Sequence, residues 1–301
     1  MELKNFEELR EKLGNVPKHT VSVACAHEES TLKALFKAKD EGLIDYVLTG
    51  NAKEIVSISD RLGHKIITDD IIDTKTDAEA AAVSVKLVHD GEADFVQKGV
   101  LHTAAILKAV VNKETGLGMG RIMNHVGIIQ MPQFRKLVAF SDAGMIINPD
   151  LEKKKGIIEN TVELFHALGY DDPKVACMCA LEEVNPKMPE TVEARALKEM
   201  NQQGIIKGCT IEGPISFDLA LNPHTKDVKK FDSPVAGNAD IVIAPDISAG
   251  NMTLKALYTC ANAVMAGIIL GAKCPVALTS RDSIPEGRYY SLLLCSGMLG
   301  K

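Results

Sequence analysis

SPVAGNADIVIAPDISAGNMTLKAL, residues 233–257, is the stretch on which the reading of the fold turns. Ile241-Val242-Ile243-Ala244 is short and wholly apolar, the pattern of a strand buried on both faces of a parallel sheet. Pro245 and Asp246 end it. Ser248-Ala249-Gly250-Asn251 then reads as a tight loop into a long helix that starts near Asn251 or Met252. A buried strand, a glycine-bearing turn and a helix N-terminus are the parts of an anion site in an α/β protein. Free N–H groups and the positive end of the helix dipole face whatever lies beyond the carboxyl edge of the sheet. Taken alone, the stretch is an ordinary strand-to-helix turn in which Gly250-Asn251 is loop and cap. The same grammar returns at Pro275-Val276-Ala277-Leu278, a second buried strand, with Thr279-Ser280-Arg281-Asp282 at its end and Pro285 starting the next helix. Two such strand ends read as adjacent walls of one crevice.

Upstream, strands and helices alternate. Phe6, Leu9 and Leu13 mark an amphipathic first helix closed by Gly14 and Pro17. Strands are predicted at Thr20–Ala26, Tyr46–Leu48, Lys65–Thr68 and Ala93–Gln97, with a helix capped near Ser30 and helices at about 52–62 and 76–90 between them. Apolar strands separated by helices of this length imply a parallel sheet covered on both faces. The alternation breaks after a helix ending near Asn112. A glycine-rich loop, KETGLGMG (113–120), leads into two strand-like runs, Val126–Gln130 and Leu137–Phe140, with no helix between them. A crossing into a second domain is placed there. The pattern then resumes with a helix over 149–168, a strand over 174–179 and a helix over 189–203; Gly213–Leu221 is read as a short helix. The fold class is α/β, two open parallel-sheet domains with an interdomain cleft. The element count also allows an eight-fold βα barrel; the helix-free crossing and the uneven spacings favour two open sheets.

At 301 residues the chain is long for one core. Its 46% hydrophobic and 25% charged residues are those of a folded globular protein. A net charge of -6 without a Lys/Arg cluster argues against a nucleic-acid surface. Met1-Glu2-Leu3-Lys4 opens a polar helix, and the most apolar segment, Ala261–Ala272, is too short to span a bilayer. Seven scattered cysteines, with no second ligand pair beside Cys177 and Cys179, fit a reducing compartment and no metal site. A cytoplasmic protein without membrane or nucleic-acid partners is expected.

Several residues could carry chemistry. Gly116, Gly118 and Gly120 superficially resemble a dinucleotide fingerprint, but the spacing fails and the loop precedes a strand, so a flexible active-site loop is the better reading. Lys98-Gly99 ends the strand ADFVQ, placing a cation where a ligand would sit, and His102 and Thr103 open the next helix. Arg121 and His125 follow the glycine loop; Asp142 opens a turn and is read as a cap. Arg281 is the strongest single candidate, because a strand-end guanidinium beside a serine suits two-pronged phosphate recognition. No GxSxG elbow surrounds Ser280, so it is read as a hydrogen-bond donor to developing charge and not as a nucleophile. Asp282 and Glu286 are nearby carboxylates that could take a thiol proton or cap the last helix.

Together these segments resemble the phosphate acetyl/butyryl transferase family, and its butyryl branch more than its acetyl branch. The resemblance is carried by QKGVLHT (97–103), RIMNHV (121–126), SDAGMIINPD (141–150), PKVACMCALEEVN (173–185), GPISFDLAL (213–221), residues 233–251 and PVALTSRDS (275–283), in family order. It implies two α/β domains, 1–126 with 268–301 and 127–267, with the active site between them, and a homo-oligomer. The implied reaction is reversible acyl transfer between coenzyme A and phosphate, from butyryl-CoA to butyryl phosphate. Coenzyme A is then a substrate, no cofactor is permanently bound, no metal is required, and no acyl group is carried covalently by the enzyme. Ser280 and Arg281 match the family's Ser-Arg pair, implied to stabilise the transition state and bind phosphate or CoA. Gly250, Asn251 and Lys255 match a cleft-lining segment, and Arg121 matches an arginine of the substrate pocket. An aspartate that serves the acetyltransferases as proposed base falls here on Gly287, which leaves the base between Glu286 and Asp282. Rival readings are the same chemistry on acetyl-CoA and a catalytically silent CoA or acyl-phosphate sensor on the same fold. An NAD-dependent dehydrogenase would need metal-binding carboxylates and a nucleotide loop that the sequence lacks.

Overall fold

The computed structural model describes residues 2–14 and 16–300. In chain order its first elements are α1 (Phe6–Leu13), β1 (His19–Ala24), α2 (Glu29–Asp40), β2 (Ile44–Gly50), α3 (Ala52–Arg61), β3 (Ile71–Asp73), α4 (Asp77–His89), β4 (Phe95–Lys98) and α5 (Thr103–Val110). There follow β5 (Asn124–Gln130), β6 (Val138–Ser141), α6 (Leu151–Ala167), β7 (Lys174–Met178), α7 (Pro189–Gln202), β8 (Thr210–Ile215), α8 (Phe217–Leu221) and α9 (Pro223–Lys229). The last are β9 (Ile241–Ile243), α10 (Ile247–Cys260), β10 (Val264–Leu270), β11 (Val276–Ala277) and α11 (Pro285–Leu299). No helix of the described residues is long and apolar enough to cross a membrane.

Two compact units result. The first comprises Arg10–Arg121 and Ala266–Lys301, the second Met1–Leu9 and Ile122–Met265. Residues 2–9, placed by the sequence division with the N-terminal body, group with the second unit. There the Leu3 N–H donates to the Tyr170 hydroxyl at 2.7 Å and the Leu3 carbonyl accepts from Leu137 N–H at 2.8 Å.

The first unit has the strand order β3-β2-β1-β4-β11-β10, parallel throughout except for the β10–β11 pair. Val21, Val23, Phe95, Val96 and Val276 are fully buried, as expected of central parallel strands. On the sheet, α2 packs against α11 and α4 against α5. Glu28 caps α2, its carboxylate accepting from Ser30 and Thr31 N–H at 2.8 Å each, and the Thr76 hydroxyl caps α4. The strand expected at Lys65–Thr68 lies later, at β3, after a 3-10 turn over Thr68–Asp70; Ile67 is 65% exposed, whereas Ile71 and Ile72 pair with Leu48 and Thr49. The glycine-rich loop is held at its centre. Buried Leu117 donates to Val110 O and accepts from Lys273 N–H, both at 2.8 Å, and Gly118 bridges Ala272.

The second unit has the order β5-β6-β9-β7-β8, with β5 and β6 antiparallel and the others parallel. The helix-free link is thus a hairpin, since only antiparallel neighbours can be joined without a long crossover. Its core gathers Val138, Phe140, Val242, Ile215, Leu219, Val235 and Leu254. Three sequence expectations change here. Residues 213–215 belong to β8, an edge strand that tolerates Pro214 because one side has no ladder partner. The helix read as starting near Asn251 begins four residues earlier at Ile247, capped by Asp246, whose carboxylate accepts from Ala249 N–H at 2.9 Å. Finally, β9 and β11 are not neighbouring strands. One lies between β6 and β7 in the second unit, the other between β4 and β10 in the first, and the strand order is open, with no closure into a barrel.

Candidate active site

The first unit has a topological switch point. From β1 the chain moves outward to β2 and β3, then returns to form β4 on the other side of β1. The crossovers therefore diverge, and a crevice opens over the carboxyl ends of β1 and β4, where ligands of open α/β sheets bind. Strand β11 runs parallel beside β4, so its carboxyl end opens at the same edge. Cys25, Lys98 and Thr279–Arg281 are the residues delivered there.

Gly99 makes the tight passage possible. Its N–H donates to Ala24 O at 2.8 Å, and the next N–H, of Val100, donates to Cys25 O at 3.0 Å. A β-carbon on Gly99 would lie 2.1 Å from Cys25 O, so only glycine lets the chain after β4 lie against the end of β1. Lys98, immediately before it, is fully buried, and its Nζ donates to Gly99 O at 3.2 Å and Thr279 O at 3.1 Å. Burial pushes its ammonium down to about 8, and the positive charges of Arg288 and Arg281 add to this, opposed by Cys25 and Glu28. The Cys25 thiol, pushed up to about 12 by burial and by Asp77, is neutral at physiological pH and donates to Asp77 Oδ1 at 3.6 Å.

Ser280, Arg281, Asp282 and Glu286 are exposed around the end of β11 and the first turn of α11. The Arg281 guanidinium reaches His102 Nε2 at 3.4 Å, which brings His102, the N-cap of α5, and Thr103, its first residue, beside the Ser-Arg pair. Lys98, Gly99, His102, Thr103, Ser280, Arg281, Asp282 and Glu286 thus share one edge of the first unit. Sequence reasoning missed two further members, Arg288 and Glu28. The Arg288 side chain is fully buried, with Nε on Ser30 Oγ (3.2 Å), Nη1 on Thr279 Oγ1 (3.2 Å) and Lys98 O (3.5 Å), and Nη2 on Ser280 O (3.3 Å) and Arg281 O (3.1 Å). Glu28 Oε2 lies 3.5 Å from Nη2. One signal for Arg288 is present in the sequence: it is the lone cation in the helix PEGRYYSLLLCSGML. The buried cations Lys98 and Arg288 share the carboxylate of Glu28, which leaves positive charge behind Ser280 and Arg281 to hold an anion, while Asp282 and Glu286 add exposed carboxylates to the same edge. Beside it, a cavity of about 420 Å³ opens over β1–β3, lined in part by Cys25, His27, Asn51, Thr74 and Asp77.

Three of the remaining expected residues belong to the second unit. In the second unit Gly250 falls in the first turn of α10, its N–H donating to Asp246 O at 3.1 Å, so that N–H is not free for an anion. Gly250 is instead required by close approach, since a β-carbon would lie 2.4 Å from Asp142 O. Asn251 Nδ2 donates to Ala143 O at 2.8 Å, and Lys255 is exposed one turn further on. Asp142 organises this turn, its carboxylate accepting from Gly144 (2.7 Å), Met145 (2.8 Å) and His125 (3.1 Å) N–H groups. Arg121 is exposed at the end of the first unit's first segment. A larger cavity in the second unit, about 530 Å³, is lined by the β5–β6 loop, α8 and the residues before β9, and holds none of the expected site residues. Among the described residues no cluster of three His, Cys, Asp or Glu is placed to hold a metal ion.

Comparison with known proteins gives a consistent relationship. A model of the phosphate acetyl/butaryl transferase family matches residues 54–287. The phosphate butyryltransferase of Clostridium acetobutylicum is 38% identical, over 99% of this chain and 99% of its own. The phosphate acetyltransferase of Thermotoga maritima is 40% identical, over 91% and 93%. Among solved structures, a branched-chain phosphotransacylase from Enterococcus faecalis superimposes with a TM-score of 0.79 at 29% identity, covering 93% of this chain and 99% of that one.

Proposed function

This chain belongs to the phosphate acetyl/butaryl transferase family and is a phosphate acyltransferase, and from that premise we propose that it prefers butyryl-CoA, exchanging its acyl group between coenzyme A and inorganic phosphate. The observation that carries the reading is the strand end Thr279–Arg281, where the exposed Ser-Arg pair stands in front of two buried cations.

In the direction of thioester formation, a coenzyme A thiol near its reference value of about 8.5 is mostly protonated at neutral pH and needs a base. Glu286 or Asp282, both exposed beside the pair, takes the thiol proton. The thiolate attacks the acyl-phosphate carbonyl, a C–S bond forms, the C–O bond to phosphate breaks, and the carboxylic acid returns its proton to the leaving phosphate. Arg281 and the Ser280 hydroxyl stabilise the charge that builds on the carbonyl oxygen and the phosphate, with Lys98 and Arg288 supplying positive potential behind them. Holding both substrates at one strand edge supplies the entropic part of the acceleration.

Relatives named for butyryl and for acetyl transfer are almost equally similar, at 38% and 40% identity, so the acyl chain is decided by assay. Thiol titration would follow CoA release from butyryl-CoA with and without phosphate, and then from acetyl-CoA. Phosphate-dependent release that favours butyryl-CoA is the expected result. Preference for acetyl-CoA would overturn the chain-length proposal, and CoA binding without release from either would point to a silent sensor.

A further inference from the structure

We propose that Arg288 is a positioning residue for this reaction: from inside the protein it sets the backbone of the Thr279–Arg281 turn so that Ser280 and Arg281 both face the substrate side. The inference rests on the acyl-transfer reading of the Ser-Arg pair.

The need for such a residue follows from the strand. β11 is only two residues long, Val276–Ala277, so the segment after it has left the sheet ladder that would otherwise fix its peptide planes. Three successive carbonyls, those of Thr279, Ser280 and Arg281, are instead taken up by two buried cations. Lys98 Nζ donates to the first, and Arg288 Nη2 donates to the second and third. Once these carbonyls point inward, the Ser280 and Arg281 side chains leave the turn outward, and both are exposed. A guanidinium suits the task where an ammonium does not. Its rigid fork carries five donors and spreads one charge over Ser30, Lys98, Thr279, Ser280 and Arg281 at once, which a compact lysine head cannot span.

The same side chain straps the turn to α2. Ser30 Oγ accepts from Arg288 Nε and donates to Ser283 O at 2.8 Å, while the carboxylate of Glu28 both caps α2 and faces Arg288 Nη2. A buried charge is a costly way to satisfy carbonyls, since an apolar replacement is often neutral or stabilising when packing alone matters. Its presence directly behind the exposed pair is what a positional requirement would select.

The test uses Arg288→Lys and Arg288→Met in the full chain. Circular dichroism and melting temperature come first, then kcat and KM for butyryl-CoA and for phosphate, then the pH profile, and finally titration of the Lys98 ammonium by nitrogen NMR. Arg288→Lys is expected to fold and to lose about 100-fold in kcat with little change in KM, because the turn is misaimed and the substrates still dock. Arg288→Met removes one of the four groups facing Lys98, namely Cys25, Glu28, Arg281 and Arg288 itself. The Lys98 titration should then move to higher pH, and the alkaline limb of the activity profile with it, while Arg288→Lys leaves both in place. A merely structural role would change melting temperature without separating the two variants in this way. Should Arg288→Met not fold, the Arg288→Lys kinetics decide. A folded Arg288→Lys enzyme with kcat within twofold of the parent overturns the proposal. An inactive parent protein would sink the acyl-transfer reading instead, so the two failures are distinct.

Discussion

Replacing Lys98 with methionine should make the protein more stable at neutral pH and less stable at alkaline pH. The side chain is fully buried, and its ammonium titrates at about 8 where an ordinary lysine titrates at 10.5. That gap is worth about 3 kcal/mol, the excess cost of keeping the charged form in the folded protein below pH 8. Between pH 8 and 10.5 the unfolded chain holds the Lys98 proton and the folded chain has released it. Raising the pH through this window therefore favours the folded state by about 3 kcal/mol, after which the contribution is level. Against this stand the two hydrogen bonds to Gly99 O and Thr279 O, together about 2 kcal/mol, which methionine forfeits at every pH. The sum puts Lys98→Met ahead by about 1 kcal/mol at pH 7 and behind by about 2 kcal/mol near pH 10.5. Urea unfolding followed by far-UV circular dichroism from pH 6.5 to 10.5 measures the difference between the two proteins, in which groups common to both cancel. A difference that stays flat across the range would refute the account of a charge held in the interior against its preference. If it changes sign as expected, the charge is a sacrifice of stability made at the substrate edge.

Three further outcomes are expected. Arg281→Ala should fold normally, as an exposed change, and lose about 10²–10³ in kcat; near-normal turnover in a folded variant would remove Arg281 from the mechanism. Of Glu286→Gln and Asp282→Asn, the one that removes the base should lower thioester formation by about 10²–10⁴ and flatten the acidic limb of its pH profile, while the other leaves the profile in place. In the second unit, Lys136 Nζ lies 2.6 Å from Asp240 Oδ1, and both side chains are almost wholly buried. Lys136→Met should cost about 3–5 kcal/mol at pH 7 by stranding that carboxylate. Burial already raises the Asp240 carboxyl above its ordinary range, and losing Lys136 raises it further. An acid with a raised folded value loses stability as pH rises, so the defect should shrink when urea melts are repeated near pH 4.

Much of this architecture was legible in the sequence because buried parallel strands advertise themselves. ADFVQ, IVIA and PVAL are mostly apolar runs bounded by turn residues; β9 and β11 lie within the last two, and β4 overlaps the first and ends one residue beyond it. Failures came where the signal is tertiary. Nothing local says that Gly213-Pro214 extends a strand; only pairing with β7, and the room left by Gly213 for Cys177 and Ala194, makes it one. At α10 the expected start near Asn251 gives way to Ile247, because the Asp246 carboxylate reaches the Ala249 N–H and caps the helix earlier. The exposed members of the candidate site, Arg281 and Ser280, could be named from residue type at a strand end. Arg288 and Glu28 could not, since Arg288 reaches Ser30 across 258 residues of sequence and Glu28 lies further still.

The placement of β11 has a consequence for how the first unit comes into being. This two-residue strand sits in the interior of its sheet, between β4 and β10, and the bond joining Lys98 to Thr279 spans 181 positions of chain. A ribosome that has made residues 10–121 has made β1–β4 but not the neighbour that covers the flank of β4. During synthesis of the intervening stretch, at about 5–20 residues per second, that flank is an unpaired edge able to recruit a foreign strand. Closing so long a loop is also slow. The second unit's segment 122–265 is contiguous and can organise as it emerges, whereas the first waits for the segment from Ala266 onward before its anion-holding edge exists at all. Acquisition of activity should therefore coincide with the docking of residues 266–299, as the last event of folding and not as its scaffold.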